Sequence, residues 1–421
     1  MIEPNSIPTI SGRVTISNID QHRRKILKQV MMVIAGSSAP ATLLSAPNRQ
    51  LRILSWPDYF PPQLLKEFSL STGIEVEITP IFSNAEMFYR ALEPKSTPFD
   101  LVTPGHGWAR RWSSSRLLRP FREAVYGDLA LDPLLVGAAH RDWSFTSGGL
   151  YWLPTVWGSE VVAWRSDRNA EFGHSSEGGP GYADIWNVGS DNKSLIRVSS
   201  GFTGAGLLMA SRELLNPGDL WAARQDKVTM ERVWGEIIAF CIARKASIGG
   251  YLSGLPSVEL FFRKNPLGIA QINESWVDKL QSLGLKVISR APKEGALAWA
   301  DGFALTHRGR NQSEAETFVR YWLDQEVAGR SLSSHGFHSA VIGAESHAGF
   351  QYRMRLQERY PGEARSQLQL MPSAGEWFTE KRAAFIRDFL EAPIPQPPPP
   401  EVEPVEESLP PEGEKPALEK S

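Results

Sequence analysis

Apolar positions follow two rhythms along this chain, and the first change of rhythm is the most informative. Leu51, Ile53 and Leu54 form a short apolar run that Trp56, Pro57, Asp58 and Tyr59 break at once. Pro61 and Pro62 suit a first helical turn, where a missing N–H costs nothing. Leu64, Leu65 and Phe68 then recur at helical spacing. Ile74, Val76 and Ile78 alternate with Glu75, Glu77 and Thr79, which predicts a half-buried strand. The result is a strand, a loop, a helix and a strand, with two aromatics and a carboxylate in the loop. In open α/β sheets such loops lie at the carboxyl ends of strands, where ligands bind.

The same reading continues down the chain. Phe99–Thr103 predicts a buried strand ending in the loop 104–108, followed by a basic helix with Trp112, Leu117 and Leu118 as its apolar positions. Residues 149–164 are strand-rich, and a Pro and a Gly within them allow a bend between lobes. Residues 166–194 predict surface loop with a short helix near Ala183–Trp186. Helical periodicity covers 204–215 and 228–245, and strands are expected at 267–272, 285–290 and 298–306. A further helix is expected over Ser313–Asp324, with Ser313 and Glu316 spaced as a capping box. Alternating strands and helices argue for α/β architecture with mainly parallel sheets.

Composition adds limits. A chain of 421 residues, 42% hydrophobic and 22% charged, holds enough apolar surface for two domains. The net charge of −2, with no basic block, excludes a nucleic-acid footprint. Fourteen Trp bring aromatic stacking or carbohydrate-like recognition into view. Cys241 sits in an apolar helical pattern and reads as a small buried hydrophobe, leaving no internal disulfide. His335 and His338 make an H-x-x-H pair without a third ligand, so no metal site is expected. GFTGAG at 201–206 lacks the Lys-Ser/Thr ending of a phosphate loop, and no G-x-S-x-G occurs. Neither a cofactor nor enzymatic chemistry is expected.

The N-terminus predicts export. Arg23 and Arg24 precede an apolar run over Val30–Ala35 and then small residues, with Ala41 or Ala46 as cleavage positions. RRKILK resembles the twin-arginine motif. The run is too short to span a bilayer, and no cysteine stands near the cleavage positions for a lipid anchor. From Ala392 the composition turns to Pro and Glu, which predicts a disordered, extended tail.

Six ordered segments resemble periplasmic solute-binding proteins of the spermidine/putrescine type, which serve ABC importers. They are SWPDYFPPQLLKEFSLSTGIEV, FDLVTP, LPTVWGSEVVAW, ADIW, PKEGALAWADGFAL and HGFHSA, spread over most of residues 50–345. The resemblance implies a type II periplasmic-binding fold, with two α/β lobes joined by crossover strands and a ligand cleft between them. It divides the chain into a signal peptide (1–46), a first lobe (47–156), a second lobe (157–298), a return to the first lobe (299–345), a C-terminal helical segment (346–391) and the tail (392–421). It also implies ligand contacts at Trp56, Asp58 and Tyr59 in the first loop, at Trp299 and Asp301 on the second crossing, and at Glu274. The implied partners are a polyamine-like organic cation and an inner-membrane ABC permease, with the protein a periplasmic monomer.

Some positions depart from the family. In the resemblance residues 198–206 form a loop in which many members carry an acid, and here it has none; Gly105 and Gly107 replace Ser and an aromatic, and Gln271 replaces a stacking Trp. Arg330 stands where some members place an uncharged polar contact. Facing the cleft, Arg330 would repel a polyamine and suit a carboxylate. Two alternatives therefore stay open: an amino-acid-like or carboxylate solute held by Arg330, and a periplasmic sensor subunit outside transport.

Overall fold

The structure, a computed structural model, describes residues 49–395 apart from 58, 96, 147–148, 173–178, 187–192 and 376, and apart from the side chains of 333–335. The predicted signal peptide, Asp58, the imidazole of His335 and the tail from 396 onward lie outside the described residues.

The opening unit forms as its pattern dictates. Strand β1 (Arg49–Ser55) leads through the Trp56–Tyr59 loop into helix α1 (Pro62–Thr72), which starts on proline. Leu64 and Phe68, one turn apart, are its buried face, and each contributes about 2 kcal/mol by leaving water. Strand β2 (Ile74–Pro80) pairs parallel to β1 in full register, Leu51 opposite Val76 and Ile53 opposite Ile78. Beyond it come the two-residue strands β3 (Leu101–Val102) and β4 (Leu118–Arg119).

Two long strands set the architecture. Strand β5 (Leu153–Arg165) leaves a core containing Leu153, Val156 and Trp157 and enters two others through Val161 and Val162. The cores it enters form the second lobe. Strand β6 (Ser194–Ile196), helix α2 (Val198–Ser211), helix α3 (Lys227–Ala243), strand β7 (Ile248–Tyr251), strand β8 (Ile269–Asn273), helix α4 (Ser275–Ser282) and strand β9 (Val287–Arg290) belong there. Strand β10 (Leu297–Thr306) returns antiparallel to β5, with Leu297 in a second-lobe core and Phe303 in the first.

Helices α5 (Gln312–Trp322) and α6 (Gln325–His335) then pack on the first lobe, followed by β11 (His338–Ser339), α7 (Phe350–Arg359) and β12 (Gln369–Leu370). Helix α8 (Phe378–Glu391) ends in the second lobe, where Phe378 and Phe389 are buried. Lys245 fixes its end: the buried ammonium donates to the carbonyls of Phe389 (2.7 Å), Leu390 (2.9 Å) and Ala392 (2.5 Å). A cation there suits the negative end of the helix dipole.

Three expectations change. The sheets are mixed rather than mainly parallel, because β5 and β10 run against one another and against most of their neighbours. Residues 198–206 are helical rather than loop, since Gly201, Gly204 and Gly206 let the helix lie close on Ile196, Tyr182 and Leu220. The Ser313–Glu316 capping box does not form. The helix starts earlier, at Gln312, without a side-chain cap; Asp100 pins the residues leading into it, accepting from the N–H groups of Arg310 and Asn311 at 3.0 Å, while Glu316 is buried against Arg122.

Candidate functional site

Between the lobes lies a cleft of about 770 Å³. Of the fourteen Trp, only Trp56, Trp108, Trp276 and Trp299 line it. Trp112, Trp143, Trp152, Trp164 and Trp186 are fully buried core residues, so most of the tryptophan content serves packing.

The first-lobe wall centres on Asp301, which is only 6% exposed. It sits on β10 at a register irregularity between Asp301 and Gly302, which turns the strand locally. The Tyr59 hydroxyl donates to its carboxylate. Burial pushes the Asp301 carboxyl up from 3.8 to about 7, against the lowering effect of the Tyr59 hydrogen bond. Burial, followed by the Asp301 charge, holds the Tyr59 phenol well above its ordinary range.

Aromatic edges surround this carboxylate. The Phe337 ring meets Tyr59 edge-on at 5.5 Å and Trp299 edge-on at 5.1 Å. Trp56, half-buried, donates its indole N–H to the Thr103 carbonyl at 3.2 Å and so shows the cleft one face. Two glycines make room. A β-carbon on Gly158 would lie 2.5 Å from the Trp299 ring, and one on Gly105 would lie 3.0 Å from an Asp301 oxygen. Gly105 instead donates its N–H to Asn84 at 2.7 Å.

The second-lobe wall has the opposite character. Arg197, Arg224 and Lys279 line it, together with Asn273, Ser275 and Trp276. Asn273 accepts from the N–H of Ser275 at 3.0 Å and from its hydroxyl at 2.8 Å, which fixes the start of α4.

The structure thus brings together Trp56, Tyr59, Trp299 and Asp301. Glu274 and Arg330 are not with them. Glu274 is fully buried behind the cleft wall. Its carboxylate accepts from the Ser159 N–H (2.7 Å) and the Tyr360 hydroxyl (2.8 Å), meets His338 Nε2 at 2.8 Å, and lies 3.4 Å from Arg359. Burial alone would raise its pKa, but His338, Arg359 and Tyr360 outweigh burial and hold it below the ordinary value. Arg330 forms a two-pronged pair with Glu67 on α1 at 2.7 and 2.8 Å, outside the cleft lining. His338 has both ring nitrogens engaged, by Glu274 and by Tyr352 at 2.6 Å, so neither is open to a metal. Gln271 is buried too, donating to Glu160 and to the Ser200 carbonyl.

Sequence reasoning missed Phe337, Trp276 and all three cations. Phe337 lay within the recognised HGFHSA segment and Trp276 two residues beyond Glu274. Arg197, Arg224 and Lys279 carry no local signal, since their common wall exists only after folding.

Such a cleft, with two lobes, a buried carboxylate and an aromatic rim, has the form of a site that encloses a small solute. The model of the bacterial extracellular solute-binding protein family matches residues 63–336, and the chain belongs to that family. The putrescine-binding periplasmic protein PotF of Escherichia coli is 25% identical over 304 residues, covering 70% of this chain and 79% of the relative. Spermidine/putrescine-binding periplasmic protein 1 of Haemophilus influenzae is 22% identical over 324 residues, covering 72% and 79%. Among solved structures, the spermidine/putrescine ABC transporter substrate-binding protein PotD of Streptococcus pneumoniae superposes with a TM-score of 0.65 at 17% identity, over 81% of this chain and 98% of that one. That likeness bears on the fold.

Proposed function

We propose that this protein is the periplasmic substrate-binding component of an ABC importer. In this reading it acts as a monomer, takes a small organic cation of the polyamine class into the cleft, and delivers it to an inner-membrane permease. The observation that carries the reading is the buried Asp301 carboxylate within the edges of Tyr59, Trp299 and Phe337. An ammonium leaving water needs a carboxylate, and its alkyl stem packs on aromatic faces. The curated relatives named for spermidine and putrescine support the same ligand class. Closure of the lobes about β5 and β10 would bury the solute and create the form a permease reads. Arg23 and Arg24 support export by the twin-arginine route.

Thermal shift and calorimetry with putrescine and spermidine test this. A solute at about 100 times its dissociation constant adds roughly 2.7 kcal/mol of stability. No response to any amine, whatever its length, ends the cation reading. The carboxylate alternative no longer has Arg330 to rest on, yet Arg197, Arg224 and Lys279 favour an anionic group somewhere in the solute.

A further inference from the structure

Arg224 is the least expected residue of the cleft. It is half-buried; its guanidinium donates Nε to the Pro372 carbonyl at 2.8 Å and stacks 4.6 Å over the Phe378 ring. No carboxylate meets it among the described residues, and the Arg382 charge repels it. Burial, with Arg382, brings its pKa down to about 10. A half-buried guanidinium on a cleft wall has given up part of its hydration, which an oxyanion in the cleft would replace.

The residues around it add to the positive wall. Arg197 meets one carboxylate among the described residues, Glu160 at 3.6 Å, whose pKa burial raises. The Arg197 guanidinium lies 5.8 Å over the Trp276 ring. Three residues beyond Trp276, on the same face of α4, Lys279 reaches the cleft with no ion-pair partner among the described residues. Helix α2 begins one residue after Arg197, so its positive end adds to the charge of this wall.

We propose that the solute is bipolar: its ammonium sits on the Asp301 wall and an oxyanion at its other end is held by Arg224, Arg197 and Lys279. A plain diamine cannot satisfy both walls, because its second ammonium would meet three cations. An amine bearing a carboxylate or a phosphonate supplies a counter-ion to that wall, and lobe closure brings the two walls onto its two ends. This inference rests on the ammonium site proposed above and narrows its ligand class.

Four probes with similar chain length separate the cases by calorimetry on the purified protein: cadaverine, δ-aminovalerate, aminobutylphosphonate and glutarate. One or both amino-oxyanions should bind about tenfold or more tighter than cadaverine. Arg224→Gln and, separately, Lys279→Gln should abolish that preference and leave cadaverine binding equal or tighter. Ligand-free melting curves check that each variant folds, and the exposed Lys279 keeps the test sound if Arg224→Gln is unstable. Cadaverine binding tightest, with neither variant altering the order, overturns the oxyanion site and leaves the cation reading standing. Glutarate binding alone, or no probe binding at all, overturns both.

Discussion

Replacing Asp301 by Asn should make the empty protein more stable and the binding protein worse. The Asn side chain keeps the shape, and its oxygen can still accept from Tyr59. What it removes is a buried negative charge. The Asp301 carboxyl has an ordinary value of 3.8 and lies at about 7 in the fold, with burial the main cause. The folded state therefore holds the proton more tightly than the unfolded chain does. Stability from this group is greatest at or below about pH 4, declines as pH rises, and carries its full penalty above about pH 7. A gap of about three pH units corresponds to about 4 kcal/mol. Urea denaturation of Asp301→Asn and the parent, without ligand, measures it. At about pH 8 the variant should be more stable by up to about 4 kcal/mol, and at about pH 4 the two should coincide. All other titrating groups are common to both chains, so the difference isolates this carboxyl. The same variant should lose binding of putrescine or δ-aminovalerate by about a hundredfold, as a desolvated charge pair requires. In the parent, affinity should fall about tenfold per pH unit below about 7. A variant no more stable at about pH 8, or a difference that ignores pH, would refute the reasoning.

Four further outcomes follow from the same structure. Gly158→Ala places a methyl where the Trp299 ring now lies, 2.5 Å away; displacing the ring should weaken solute binding by about tenfold, read by calorimetry, and shift the tryptophan emission. Glu274→Gln leaves Arg359 and His338 without their buried partner and should cost about 3–5 kcal/mol at neutral pH. Because the Glu274 carboxyl is held below its ordinary 4.5, that contribution is present above this value and is lost as pH falls beneath it, so the variant and parent should converge in acid. Arg330→Ala breaks a half-exposed pair with Glu67 and should change stability by less than about 1 kcal/mol, with solute affinity unaltered in the same titration. Lys245→Met removes three charged hydrogen bonds from the end of α8 and should cost about 2–3 kcal/mol by urea denaturation, with hydrogen exchange rising first in Phe385–Glu391.

Much of the fold was legible because local pattern and tertiary burial agreed. The alternation over Ile74–Ile78 becomes β2, and the proline-led periodicity after Pro61 becomes α1. The pattern misled where a long-range partner overruled it. Ser313 looked like a cap, but Asp100, over two hundred residues earlier, fixes the approach so that the helix starts one residue before it, at Gln312. VSSGFTGAG was expected as loop from the family resemblance, yet its glycines are what lets α2 sit against Tyr182 and Leu220. In the site, the aromatic and acidic residues near the two crossings were legible from their motifs. Glu274 carried the right chemistry but faces inward, because His338, Tyr360 and Arg359 form a denser set of partners than the cleft offers. Cations drawn from α4 and from the residues just before α2 and α3 had no shared sequence signature.

The return of α8 to the second lobe has a mechanical consequence. β5, β10 and the stretch between Leu368 and Phe378 each pass from one core to the other. Two connectors would behave as a ribbon, free to wring about its length as well as to fold. A third, tied to β10 where Gln369 and Leu370 pair with Leu297 and Ala298, stiffens the ribbon against wringing and sideways slip. The motion left soft is flexion about a single axis, like a door on three pins. Such a joint lets the jaws meet in one alignment only, so Asp301 would face the same opposing residues at every closure.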